Sequence, residues 1–169
     1  YEGFRTNVYR ALVDSSSNTH TVSGQTVIVK LLHTEYPSLN DLVQFRNQYT
    51  LTKDLSISGV VQPVALAEWK NGYALVMKDF GGISLQQYAQ SHRLSLQDCL
   101  EIAHQVAGIL HQLSHHHIIH KDIKPANILI HPSSQKIQLI DFSIASQLPK
   151  ASQTQQTLNT SPNTLEGTL

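Results

Sequence analysis

Five polar side chains stand close together in His120-Lys121-Asp122-Ile123-Lys124-Pro125-Ala126-Asn127, and a further aspartate opens Asp141-Phe142-Ser143. Between them lie two short β-branched runs, Ile128-Leu129-Ile130 and Ile137-Gln138-Leu139-Ile140. Pro125 forbids a continuous helix through the first stretch. The two runs are too short for helices, and His131-Pro132-Ser133-Ser134-Gln135 between them has turn chemistry, so they read as a hairpin. Such a hairpin returns Asp141 to the side of Asn127. Any fold for this chain must therefore hold Asp122, Lys124, Asn127 and Asp141 around one point. Phosphoryl transfer from a nucleotide needs that set. Magnesium takes oxygen ligands and keeps phosphate oxygens and water as the rest. An attacking hydroxyl needs a carboxylate to orient it and take its proton, and a lysine offsets the charge that develops.

The surrounding pattern predicts strands at 8–13 and 26–32, then a strand pair at 60–69 and 73–77 joined through Lys70-Asn71-Gly72. Ser38 and Asp41 have capping-box spacing ahead of Leu42, Phe45 and Tyr49, which predicts a helix. Ser84 to Gln87 and Ser95 to Asp98 mark two more helix starts. After the second, Leu96, Cys99, Ala103, Val106, Leu110 and Leu113 keep a helical period, with Cys99 expected in the core. Trp69 is expected to pack beside its hairpin. Residues 146–164 are rich in Ser, Thr and Gln and read as a long loop.

Charge narrows the function classes. Lys+Arg and Asp+Glu number 12 each, so the formal net charge is zero, which argues against a nucleic-acid interface or a polybasic membrane patch. No apolar run approaches the ~20 residues of a membrane span. The single cysteine excludes an internal disulfide framework and fits a reducing, cytoplasmic setting. The ten histidines invite a metal reading, but His115, His116 and His117 are consecutive at a helix end, a poor arrangement for zinc.

Residues 120–127 resemble the catalytic loop H-R-D-L-K-P-x-N of the Hanks-type serine/threonine protein kinases, with Lys121 for Arg and Ile123 for Leu. Asp141-Phe142-Ser143 resembles D-F-G, and Val27-Ile28-Val29-Lys30 resembles V-A-I-K. The resemblance implies an α+β fold with an antiparallel-sheet N-lobe at 1–77, then a hinge and a mainly helical partial C-lobe at 78–169. It implies Asp122 as catalytic base and Lys124 at the γ-phosphate, with Asn127 and Asp141 holding Mg²⁺. It puts Lys30 on the α/β-phosphates of ATP, Gly3 and Val8 in the loop over the nucleotide, Met77 at the gatekeeper, and Lys78, Asp79 and Phe80 in the hinge that reads adenine. The implied partner is a protein substrate phosphorylated on Ser or Thr. Gly167-Thr168 resembles the start of the substrate-docking loop. The order of motifs is similar to the kinase module at the front of large cyanobacterial multi-domain signalling proteins, so further domains of a longer parent chain are expected.

The pattern is broken at several points. Tyr1 and Thr6 occupy two of the three loop-glycine positions, leaving Gly3. Gln48 falls where the family pairs its strand lysine with glutamate. Ser143 replaces the D-F-G glycine, which predicts a restricted backbone there. Lys121 weakens bidentate capture of a phosphate at Thr154, Thr157, Thr160 or Thr164. The family's later C-lobe segments are not seen before Leu169, so the chain reads as a fragment of low stability and activity by itself. A pseudokinase scaffold is the alternative; a small-molecule phosphotransferase is a third reading.

Overall fold

The computed structural model describes residues 6–13 and 25–149. The sequence expectations at Tyr1, Gly3, the four activation-segment threonines and Gly167-Thr168 lie outside them.

Four strands form an antiparallel sheet: β1 (Thr6–Leu12), β2 (Thr26–Leu32), β3 (Pro63–Trp69) and β4 (Gly72–Lys78), in the order β1-β2-β4-β3. Residues directly opposite across an antiparallel pair share a face. Lys30 lies opposite both Val8 and Leu75, and Ile28 opposite Met77, so these side chains form one lining. The β3–β4 hairpin turns through Lys70 and Asn71, with Trp69 paired to Gly72. Its left-handed residue is Lys70, at φ 51, rather than the glycine.

Helix α1 (Leu39–Thr52) crosses behind this sheet. Its capping box is formed: Asp41 N–H donates to Ser38 Oγ at 3.2 Å and Ser38 N–H to Asp41 Oδ2 at 3.1 Å. A cap of this kind contributes about 1 kcal/mol. Its buried face is Phe45, Gln48 and Thr52, with Tyr49 packed at the margin. Phe45, Val61, Leu75 and Met77 make the core under the sheet.

Beyond β4 come β5 (Ile83–Ser84), α2 (Leu85–Ser91), α3 (Leu96–His115), β6 (Ile118–Ile119), β7 (Ile128–Ile130), β8 (Ile137–Leu139) and β9 (Ser146–Gln147). β7 and β8 form the expected hairpin, β5 adds to its edge, and β6 pairs with β9. Their core gathers Leu113, Ile130, Leu139 and Phe142, and it also takes Leu55, Ile57 and Val60 from the segment after α1. The expected strand start at Val60 is therefore corrected. Val60 makes a parallel bridge to Leu139, and the strand proper begins at Pro63. Leu139 N–H donates to Gly59 O at 2.7 Å and Val61 N–H to Leu139 O at 3.1 Å. A Cβ on Gly59 would overlap the Ile109 side chain, so only glycine permits this approach.

Two burial expectations are also corrected. Cys99 is exposed, as are Leu96 and Leu100, because the covered stripe of α3 runs through Ile102, Ile109 and Leu113. The Cys99 side of α3 instead borders an apolar groove of about 420 Å³ beside Leu85, Leu94 and Val106. Trp69 stands at the hairpin tip and is 53% exposed. Among the described residues no helix is long and apolar enough to cross a membrane.

Candidate active site

The hairpin and the loop before it build one half of the site. Lys121 adopts φ 68, which turns the chain back after His120. The His120 ring is buried, at 2% exposure, and stacks obliquely on Phe142 with centroids 4.5 Å apart. Its Nε2 lies 3.0 Å from Ile140 O, and Asp122 N–H points to its Nδ1 at 3.3 Å. That pair of contacts assigns the neutral ring with its proton on Nε2. Burial pushes the His120 pKa down, outweighing the Ile140 carbonyl and the nearby Asp141 and Asp122 carboxylates that favour the charged form.

Asp122 is the focus of this half. Its Oδ2 receives Lys124 Nζ at 2.8 Å and Asn127 Nδ2 at 2.8 Å, and its carbonyl receives the same amide at 3.0 Å. Asn127 closes a 3-10 turn, Pro125–Asn127, through its N–H to Lys124 O at 2.8 Å. With its amide nitrogen on Asp122, the Asn127 side-chain oxygen faces the other way. Ile140 N–H donates to Asn127 O at 3.0 Å, so the hairpin returns the residue before Asp141 to Asn127.

The other half comes from the sheet and α1. Lys30 is buried, and its Nζ lies 3.0 Å from Gln48 Oε1 and 3.3 Å from Asp141 Oδ1. Burial raises the Asp141 pKa. The Lys30 ammonium, the Ser143 hydroxyl and the Ser143 N–H more than reverse this and hold the carboxyl below its usual range. Gln48 also points Nε2 at Met77 Sδ, 3.8 Å away. Val8 shares the lining with Lys30. Lys78 is exposed and donates its N–H to Gln62 O at 2.9 Å. Asp79 binds Arg10 Nε at 2.7 Å and accepts from Gly81 N–H at 2.9 Å; Phe80 meets His131 edge-on.

So Lys30, Met77, Asp122, Lys124, Asn127 and Asp141 lie along two linked clusters, with Val8 above and residues 78–80 at the margin. Arg10 and Asn47 were not found by sequence reasoning. Arg10 reaches Asp79 across 69 positions of the chain, and no local spacing signals that. The Asn47 side-chain nitrogen lies within 3.3 Å of the carbonyls of Phe142, Ser143 and Ala145. His111 and His115 approach Nε2 to Nε2 at 3.1 Å, one turn apart on α3.

The protein kinase domain family matches residues 13–165. The chain belongs to the protein kinase family. It is 30% identical over 124 residues to "Serine/threonine-protein kinase PrkC" of Bacillus subtilis, covering 72% of this chain and 19% of that protein. It is 29% identical over 133 residues to "Probable serine/threonine-protein kinase PknB" of Lactococcus lactis, covering 76% and 21%. To "Serine/threonine-protein kinase sid1" of Schizosaccharomyces pombe it is 29% identical over 143 residues, covering 83% and 30%. The chain thus spans about a fifth of the length of the two bacterial relatives. The domain has the α+β architecture of that family.

Within the kinase, the donor chemistry fits a nucleotide and magnesium. Asp141 is held ionised and the Asn127 oxygen is a neutral hard donor, the kind of set Mg²⁺ takes. The buried Lys30 offers a phosphate a desolvated cation. The restriction expected at Ser143 does not arise in this conformation. The left-handed residue of the segment is Asp141, at φ 64, and Ser143 is absent from the positive-φ residues described.

Proposed function

We propose that this kinase domain transfers the γ-phosphoryl group of ATP to a Ser or Thr hydroxyl of a protein substrate. Asp122 orients the hydroxyl and takes its proton as the new O–P bond forms and the bond to the β-phosphate oxygen breaks, releasing ADP. Lys124 steadies the transferred group. Asn127 and Asp141 would hold Mg²⁺, which supplies charge neutralisation on the phosphates when bound. Lys30 would hold the α/β-phosphates, and Val8, Met77 and residues 78–80 would enclose adenine. Gly3 belongs to the same loop in this reading. The boundary between lobes falls at residue 77 or 78, and the domain works within a longer cytoplasmic chain.

The observation that carries the reading is Asp122 Oδ2 with Lys124 and Asn127 both at 2.8 Å, beside an Asp141 paired to buried Lys30. In the full-length protein, Asp122→Asn should cut kcat for phosphate incorporation into a Ser/Thr peptide by about 10²–10⁴. An unchanged rate overturns the role of Asp122.

A second reading rests on Gln48 in contact with Lys30, where a glutamate would add charge. There the domain is a scaffold that binds nucleotide without turnover. A nucleotide-dependent rise in melting temperature with no phosphate incorporation supports it.

A further inference from the structure

We propose that Asn47 is a positioning residue that locks α1 to the turn bearing Asp141, so that the two move as one unit. The proposal rests on the kinase reading only for its consequence on rate.

Asn47 Nδ2 lies 3.3 Å from Phe142 O, 3.1 Å from Ser143 O and 2.9 Å from Ala145 O. Its two hydrogens serve three acceptors, so one is shared. The turn is closed on itself by Ala145 N–H to Phe142 O at 3.2 Å, which presents these carbonyls toward α1. Three partly buried carbonyl dipoles facing one point repel each other unless a donor stands between them. A carboxylate at residue 47 would add to that repulsion, and an apolar side chain would leave the oxygens unserved.

The neighbouring residue shows why this matters here. Adjacent helix positions point about 100° apart. Gln48 therefore reaches the sheet, through Lys30 and Met77, while Asn47 reaches the segment after Asp141. The Gln48 contact with Lys30 has no charge on the α1 side. The bonds of Asn47 are then a direct polar link between α1 and the residues that follow the magnesium aspartate. Displacing α1 must open that link, and shifting the turn must pull on α1.

The test uses the full-length protein with Asn47→Leu, Asn47→Asp and the double variant Asn47→Leu with Gln48→Glu. Amide hydrogen exchange is followed in 142–145 and in α3, beside kcat and KM for ATP. In both single variants, exchange at Ala145 should quicken about ten-fold while α3 keeps its protection. At the same time kcat falls about ten-fold with little change in KM, and Gln48→Glu restores most of it by re-tethering α1 to Lys30. Unchanged exchange at 142–145 overturns the proposal. So does a loss of protection shared equally by α3, or a kcat that Gln48→Glu fails to raise. If the unsubstituted protein incorporates no phosphate, the proposed chemistry fails, and the exchange arm alone decides the role of Asn47.

Discussion

The two sides of the cleft are built on different terms. On the hairpin side, Asp122, Lys124, Asn127 and His120 are tied to each other and to the backbone of Ile140, just after β8, by bonds of 2.8–3.3 Å. On the sheet side, Lys30 keeps its place and its pairing with Asp141, but the side chain reaching it from α1 is a neutral amide. Under the proposed chemistry the hairpin side carries the proton acceptor and the sheet side positions the phosphates. The departures from the kinase pattern fall on both sides: Gln48 on α1, and Lys121 and Ser143 beside the hairpin.

The comparison is broken most severely through the hairpin core. Phe142 is fully buried against His120. Phe142→Ala should cost about 3–5 kcal/mol, read from denaturant midpoints. Leu75→Ala under the sheet, also fully buried, should cost about 2–5 kcal/mol. Equal losses with a single transition would show both sides melting as one unit; two transitions would separate them.

Gln48→Glu sharpens the comparison by restoring charge. At ~4 Å and an effective dielectric near 20 the attraction is about 4 kcal/mol, most of it offset by desolvation of the pair. A net gain of about 1 kcal/mol is expected, seen as a several-fold rise in kcat/KM for ATP. No gain would show that the amide already sets α1.

Acid should weaken the hairpin side. Burial lowers the His120 pKa, so between its folded value and about 6.5 the unfolded chain binds the extra proton and stability falls with pH. Asp141, also lowered, contributes stability that is full above about 3.9 and is lost as pH drops through its folded value. The first loss is measured from urea midpoints at pH 7.5 and 5.5. A His120→Asn variant should remove part of that difference.

The smallest effect is expected at Arg10. It is 58% exposed while its partner Asp79 is 9% exposed, so Arg10→Ala should cost under about 1 kcal/mol. The expected trace is a rise of about two-fold in KM for ATP, since Asp79 also accepts from Gly81 N–H beside the residues proposed to enclose adenine.

What the sequence made legible is local. The capping boxes at Ser38–Asp41 and Ser95–Asp98, the β7–β8 hairpin and the loop at 120–127 each carry their own turn or cap chemistry within a few residues. The pairing of Lys30 with Gln48 followed from motif spacing. The exposed side of α3 was not legible, because Cys99 and Ile102 are both on apolar positions and only the placement of β7 and β8 chooses between them. Val60 looks like strand, yet its partner Leu139 arrives from the far half of the chain. Asn47 and Arg10 escaped for the same reason: an amide or a guanidinium is common on any surface, and its targets are set by tertiary placement.

The two-sided imidazole at His120 has a further meaning for how the molecule selects its own alignment. A slip of one residue along β8 would put a side chain where the ring now finds the oxygen of Ile140, and would swing Phe142 into water. Main-chain ladders as short as β7 and β8 tolerate such slips. Here the ring reads the strand end and the loop together, beside the Gly59 and Val61 bonds that hold Leu139, so the placement of Asp122 and Asp141 is inherited from that shared alignment.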